Sequence, residues 1–428
     1  MQFAAKAGAA LALATITVLA PATGAIASVT THNAADVGLF GAGDPSFDGA
    51  FRQSLGLLAE QAAGVHDTAA IKWLVDQQCP DGGWTAYRSD LSKPCPATDL
   101  TNFVGEDSNS TALAVQALHA LGVTPKHDAT AFLHSLQDSD GGFPLLKGSG
   151  TDPNSTALVV QAIRAMGQDP TSATWTSGGH TPIDALMTSW LGCGSSDVGA
   201  FSSPFSSGHG DLVSSVQAVW GVEQQPLPFT TTAATTQPAP DCSGGPVTPT
   251  PQQAGQYAAT WLAGKLGTNG FLTTGSSPDY SLTAQGALAM AASATNATGL
   301  NAALDYLTAH AHTAVLDPHG NTSPGAVGYI ALAAHAAGRS VTSFGGVNLV
   351  QVLAASRRAL PVTVAPKPAT HPASHPATQP ATTPTVAGAQ LPATGSPTQV
   401  AAGIAIDCFV VGALLLFTGR RRRATGGE

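Results

Sequence analysis

One segment of this chain is written twice. Asn109-Ser110-Thr111-Ala112-Leu113-Ala114-Val115-Gln116-Ala117-Leu118 returns 45 residues later as Asn154-Ser155-Thr156-Ala157-Leu158-Val159-Val160-Gln161-Ala162-Ile163. A period of this length marks a repeat architecture, in which one unit cannot bury its apolar face alone and must stack on the next. Weaker copies run from Asp211 to Trp220, with Gln217, and from Asp279 to Leu288, with Gln285. A degenerate copy runs from Gly325 to Gly338. The four better copies each follow a Gly-aromatic turn that ends another helical segment: Gly82-Gly83-Trp84, Gly141-Gly142-Phe143, Gly199-Ala200-Phe201 and Asn269-Gly270-Phe271. A partial unit ends its first helix near Gly64. Ser, Asn or Asp opens each second helix as an N-cap, and Gly122 and Gly167 stand where a helix C-terminus needs a left-handed residue. The fold class is therefore all-α, built of helix hairpins.

The segments Ile71-Lys72-Trp73-Leu74-Val75-Asp76-Gln77-Gln78 with Gly82-Gly83-Trp84, and Phe132 to Gln137 with Gly141-Gly142-Phe143, resemble the prenyltransferase and squalene-cyclase repeat. That resemblance is good over residues 70–225 and fair over 250–350. It implies an α/α toroid, with inner and outer helices alternating around a central cavity. We expect an incomplete or divergent toroid over residues 28–360. Residues 226–251, rich in Pro and Thr, form an insertion, because the repeat resumes after them.

The resemblance does not carry the family's chemistry with it. Class II terpene cyclases need a D-x-D-D acid to protonate an alkene or epoxide, and the chain has none; Asp138-Ser139-Asp140 runs into glycine and belongs to a turn. Protein prenyltransferases need an Asp, Cys and His zinc set, and no cysteine here has a matching context. Six Trp and five Tyr are a thin supply of the π faces that stabilise cations. His310, His312, Asp317 and His319 read as polar residues at a helix end rather than a metal cluster. The expectation is a protein that is not an enzyme and takes no cofactor: a non-catalytic binding or interaction module. Two alternatives stand beside it, a small-molecule carrier resembling the cobalamin-binding toroids and a terpenoid cyclase or prenyltransferase-type enzyme.

A ligand would meet the inner helices. On 109–121, Leu113, Val115, Leu118 and Leu121 form an apolar face, and Ala112, Gln116 and His119 lie opposite. The matching positions are Gln161 with Arg164, then Gln217 with Trp220. This spacing places Gln116, Gln161 and Gln217 in a ring around the cavity, with His119, Arg164 and Trp220 deeper or nearer the other rim. Parallel inner helices share one N-terminal rim, where Glu106, Asp107, Asp152, Asp211 and Asp279 gather and the macrodipole favours their charge. The candidate ligand residues are Asp107, Gln116, His119, Asp152, Gln161, Arg164, Gln217 and Trp220.

The two ends read as processing signals. Residues 1–27 hold Lys6, the apolar run Ala9 to Ala20, and Ala25-Ile26-Ala27, the pattern of a secretory signal cut before Ser28. Residues 361–390 are Pro, Ala, Thr and Val with little else, a composition that forms no core and reads as a disordered, extended stalk spanning the wall. Leu391-Pro392-Ala393-Thr394-Gly395 precedes an apolar stretch over 400–419, long enough for a transmembrane helix, and Arg420 to Arg423 follow. Residues 391–428 thus resemble the LPxTG sorting signal of Gram-positive surface proteins. The resemblance implies a transient sortase partner, cleavage between Thr394 and Gly395, and a covalent link from Thr394 to peptidoglycan. The expected location is secreted and anchored to the cell wall, held in the membrane before cleavage, with an unknown extracellular ligand or surface as partner. Without the two signals 12 basic and 24 acidic residues remain, a net of −12, and no basic patch suits nucleic acid. Of the five cysteines, Cys408 lies in the sorting span. The other four allow three pairings. We take Cys79–Cys95, which staples the long turn around Trp84, and Cys193–Cys242, which pins the insertion to the third unit.

Overall fold

The computed structural model describes residues 36–231 and 237–359. The residues read as a secretory signal (1–27), stalk (361–390), sorting motif (391–395) and membrane span (400–419) lie outside the described residues. Among the described residues no helix is long and apolar enough to cross a membrane.

Six helices form an inner ring: α1 (Gly49–Ala62), α3 (Ser108–Ala120), α5 (Pro153–Ala165), α7 (Leu212–Glu223), α9 (Tyr280–Ala292) and α12 (Pro324–Ala336). Each packs on the next, and α12 packs back on α1, so the ring is closed. The outer layer is α2 (Thr68–Asp76), α4 (Thr130–Leu136), α6 (Pro182–Thr188), α8 (Pro251–Leu266), α10 (Ala297–Ala309) and α13 (Leu349–Ser356), with the single turn α11 (Ala311–Ala314) after α10. Among the described residues the toroid is complete, with six inner and six outer helices, so of the incomplete or divergent toroid expected from sequence the incomplete form is excluded. The partial unit ending near Gly64 is α1, which closes the ring although it carries no copy of the repeated segment.

A repeated hydrogen-bond pair fixes each inner helix to its turn. The backbone N–H of Trp84, Phe143, Phe201 and Leu272 donates to the hydroxyl of Thr111, Thr156, Ser215 and Thr283, at 2.9, 2.9, 3.0 and 3.0 Å. The carbonyls of the same four residues accept the N–H of Asp107, Asp152, Asp211 and Asp279. All four of these Asp residues are N-caps. In the fourth unit the slot belongs to Leu272 and not to Phe271. The glycine two positions earlier is required by the turn. At Gly141 φ is +85°, and a Cβ would lie 2.5 Å from the Thr181 carbonyl oxygen. Ring helices also approach closely, and a Cβ on Gly221 of α7 would lie 2.8 Å from the Ala157 backbone of α5.

The chain ends of the ring are zipped together. Gly38 donates to the Arg358 carbonyl and Arg358 to the Leu39 carbonyl, at 3.0 and 2.8 Å. The buried Arg358 and Arg52 then donate to carbonyls of Phe40, Gly41 and Gly43, and pair with Asp36 and Asp48. Both disulfides form as expected, Cys79–Cys95 and Cys193–Cys242.

Candidate functional site

The two ends of the ring differ. At the C-terminal end the chain leaving α7 crosses the mouth as a strap. Gln116 of α3 accepts the Leu227 N–H at 3.1 Å, and Gln161 of α5 donates to the Gln225 carbonyl at 2.7 Å. The strap then reaches α12, where Thr231 donates to the Ala336 carbonyl at 2.9 Å. Leu227 is buried beneath it. The start of the 226–251 insertion is thus a cover over one mouth of the ring.

The interior holds a polar and aromatic layer. Gln116, Gln161, Gln217, Gln285, Trp220 and Tyr329 are all buried. Trp220 and Tyr329 sit on α7 and α12, which are separated by α9, yet their ring centroids are 6.0 Å apart. Gln217 donates toward Gln285 at 3.4 Å. Counting from each N-cap corrects the ring expected from sequence. Gln116 and Gln161 stand nine residues after Asp107 and Asp152, and the residue nine after Asp211 is Trp220. Gln217 lies one turn nearer the N-terminal end, level with Gln285. Sequence alignment of the glutamines missed this, because the third copy has slipped its glutamine by one turn.

His119 and Arg164 lie toward the other rim, one of the two places expected for them. Both are exposed on the last turns of α3 and α5, where the Arg164 charge faces water and the negative end of its helix. The His310–His319 group serves its turn, with Asp317 accepting the backbone N–H of His319 and Asn321 at 2.8 and 2.9 Å.

The N-terminal rim carries the acids. Asp107 is 4% exposed and caps α3 through a 2.7 Å bond from the Ser110 N–H. Burial pushes its carboxyl up to about 7, against that bond. Asp152, on the neighbouring helix, is raised to about 6, by burial and then by repulsion from Asp211, against the bond from Asn154. Glu106 is raised to about 8, first by burial and then by its hydrogen bond to and repulsion from Asp81, with Arg88 opposing. The first-turn residues Asn109, Asn154, Leu212, Val213 and Tyr280 are only half-buried. Asp138-Ser139-Asp140 belongs to the turn: Asp138 donates to the Gly142 carbonyl, and Asp140 accepts from Gly142.

No family model matches the chain, and no curated protein does. Solved structures do. Ent-copalyl diphosphate synthase from Streptomyces platensis is similar at 16% identity and a TM-score of 0.43, covering 68% of this chain and 50% of that one. A protein from Actinoplanes is similar at 17% identity and a TM-score of 0.41, covering 71% and 89%. The type II terpene cyclase MstE from Scytonema is similar at 14% identity and a TM-score of 0.38, covering 63% and 71%. A variant of MstE was solved with its substrate, geranylgeranyl dihydroxybenzoate. The chain spans about half the length of the synthase. At such scores the likeness is one of helix arrangement, and chemistry has to be read from this chain's own residues. The expectation of a non-catalytic binding module, and of a chain that is not an enzyme, finds no counterpart among these similar structures. The similar chains of stated activity are cyclases.

Proposed function

We propose that the chain is an acid-initiated enzyme of terpenoid-cyclase type, with Asp107 as the proton donor. The observation that carries this reading is Asp107 itself, a buried acid with no basic partner among the described residues, at the N-terminal end of a ring whose interior holds the Trp220 and Tyr329 rings. An ordinary aspartate is ionised at neutral pH and has no proton to give. Burial keeps a large share of Asp107 protonated there. The departure from the D-x-D-D pattern is real: one rim acid, with Asp152 on the next helix, stands where the family uses a cluster.

The step balances as an isomerisation. The Asp107 proton forms a C–H bond with the CH carbon of a terminal prenyl alkene, the alkene's π electrons supply that bond, and the positive charge falls on the carbon bearing the two methyl groups. The tertiary cation left behind is attacked by the next alkene, closing a ring. A proton then leaves the final cation for a carboxylate, for which Asp152, the N-cap of the adjoining helix, is a candidate. The Trp220 and Tyr329 rings offer π faces to such cations.

The test is incubation of the purified protein with geranylgeraniol and with squalene, followed by gas chromatography–mass spectrometry. A cyclised isomer of unchanged mass, absent with Asp107→Asn, supports the reading. Products that persist unchanged with Asp107→Asn contradict it. Display on the cell wall through Thr394 is part of the proposal and rests on the LPxTG order of the sequence. Thr394→Ala should leave the protein in the membrane fraction, and release of that variant with the wall fraction would count against anchoring.

A further inference from the structure

Three adjacent ring helices present polar atoms at one level with no partner among the described residues. They are the amide nitrogen of Gln116, the amide oxygen of Gln161 and the indole nitrogen of Trp220. All three side chains are fully buried. The two amides cannot be exchanged end for end, because the Gln116 oxygen is committed to the Leu227 N–H and the Gln161 nitrogen to the Gln225 carbonyl. The row therefore offers two N–H donors and one carbonyl acceptor. Buried polar atoms left unpaired are costly, and a group of them on equivalent positions calls for a common partner.

We infer that this row binds the hydroxyl group of the substrate, an isoprenoid alcohol rather than a diphosphate; the isoprenoid part rests on the reading above. A hydroxyl carries one O–H and two lone pairs, the complement of one acceptor and two donors. A diphosphate has no O–H to give Gln161 at neutral pH and needs cations. Among the described residues the two buried arginines, Arg52 and Arg358, are both committed to the 36–48 segment. Bringing an anion into this interior would leave its charge unpaired.

The experiment is titration of the full-length protein with farnesol and with farnesyl diphosphate, read by calorimetry and by thermal shift. Farnesol should bind saturably and more tightly than the diphosphate. Trp220→Phe removes only the N–H and should weaken farnesol about tenfold, the worth of one hydrogen bond. Gln161→Leu should weaken it at least as much. Tighter diphosphate binding, unchanged farnesol affinity in Trp220→Phe, or no saturable farnesol binding would each overturn the assignment, the last meaning that water satisfies the row. Binding is read without turnover, so the two proposals fail separately. Farnesol that binds through Trp220 but is never converted, along with every other prenyl substrate, sinks the cyclase reading and leaves the row. Conversion with Trp220→Phe binding unchanged does the reverse.

Discussion

The side-chain oxygen of Gln116 accepts the backbone N–H of Leu227 across 111 residues of chain, at 3.1 Å. That bond ties the strap to the inside of the ring, and both partners are buried. Gln116→Leu should leave the Leu227 N–H unpaired and cost roughly 1–3 kcal/mol in urea unfolding. An unchanged midpoint would mean the strap is held by its other contacts alone.

The turn hydroxyls should behave as independent units. Thr156→Val removes the acceptor of the Phe143 N–H while keeping the shape of the side chain. Ser215→Ala does the same for Phe201. Each should cost roughly 1–2 kcal/mol, and the double variant should lose about the sum, because the two bonds share no partner. Marked non-additivity in denaturant titrations would show that neighbouring units are coupled through the turns.

This device explains how much of the fold was legible. The hydroxyl after each N-cap and the Gly-x-apolar turn before it repeat because both ends of one hydrogen-bond pair must be kept. They were visible as sequence copies over α3, α5, α7 and α9. In the last unit Ser323 still donates to the Val315 carbonyl, but Val327 stands in the hydroxyl's place, so only a degenerate copy was seen. The first ring helix was legible only as a partial unit ending near Gly64, because Gln53 fastens it outward by other bonds, to the Phe40 N–H and the Ala70 carbonyl. The site was less legible. The rim acids follow from N-cap positions, but the strap crosses from α7 to α12, and no local pattern announces where an insertion will lie. The misplacement of Gln217 has a related root, since a one-turn slip on a ring helix changes the level a side chain reaches.

Glu60 gives the fold a pH dependence. Its carboxyl is fully buried, and neither oxygen has a hydrogen-bond partner among the described residues. Burial, then repulsion from Asp67, raise it from 4.5 to about 8, with Arg357 opposing. The folded state holds the proton over a window in which the unfolded chain has released it. Stability from this group is full below about pH 4.5 and is lost as pH rises through about 8. Thermal midpoints should fall between pH 5 and about 8, and Glu60→Gln should flatten that slope by roughly 1–2 kcal/mol. An equal slope in the variant would place the titration elsewhere.

The Cys79–Cys95 bond closes a short loop, with the two cysteines 16 residues apart. Replacing both by serine should cost roughly 3 kcal/mol on the chain-entropy account, seen as a lower unfolding midpoint. A midpoint that matches the parent would mean the 79–95 turn is held by its backbone bonds, among them Cys79 N–H to the Gly83 carbonyl.

Proton delivery from Asp107 is most directly read in deuterated water. The protein is incubated in D2O with geranylgeraniol, and the product is weighed by mass spectrometry. Initiation by an exchangeable acid should give a cyclised product one mass unit heavier, with the deuterium on the former CH carbon of the terminal alkene, its yield falling as pD rises past about 7 and vanishing with Asp107→Asn. A cyclised product without deuterium, or one formed equally well with Asp107→Asn, would contradict the account.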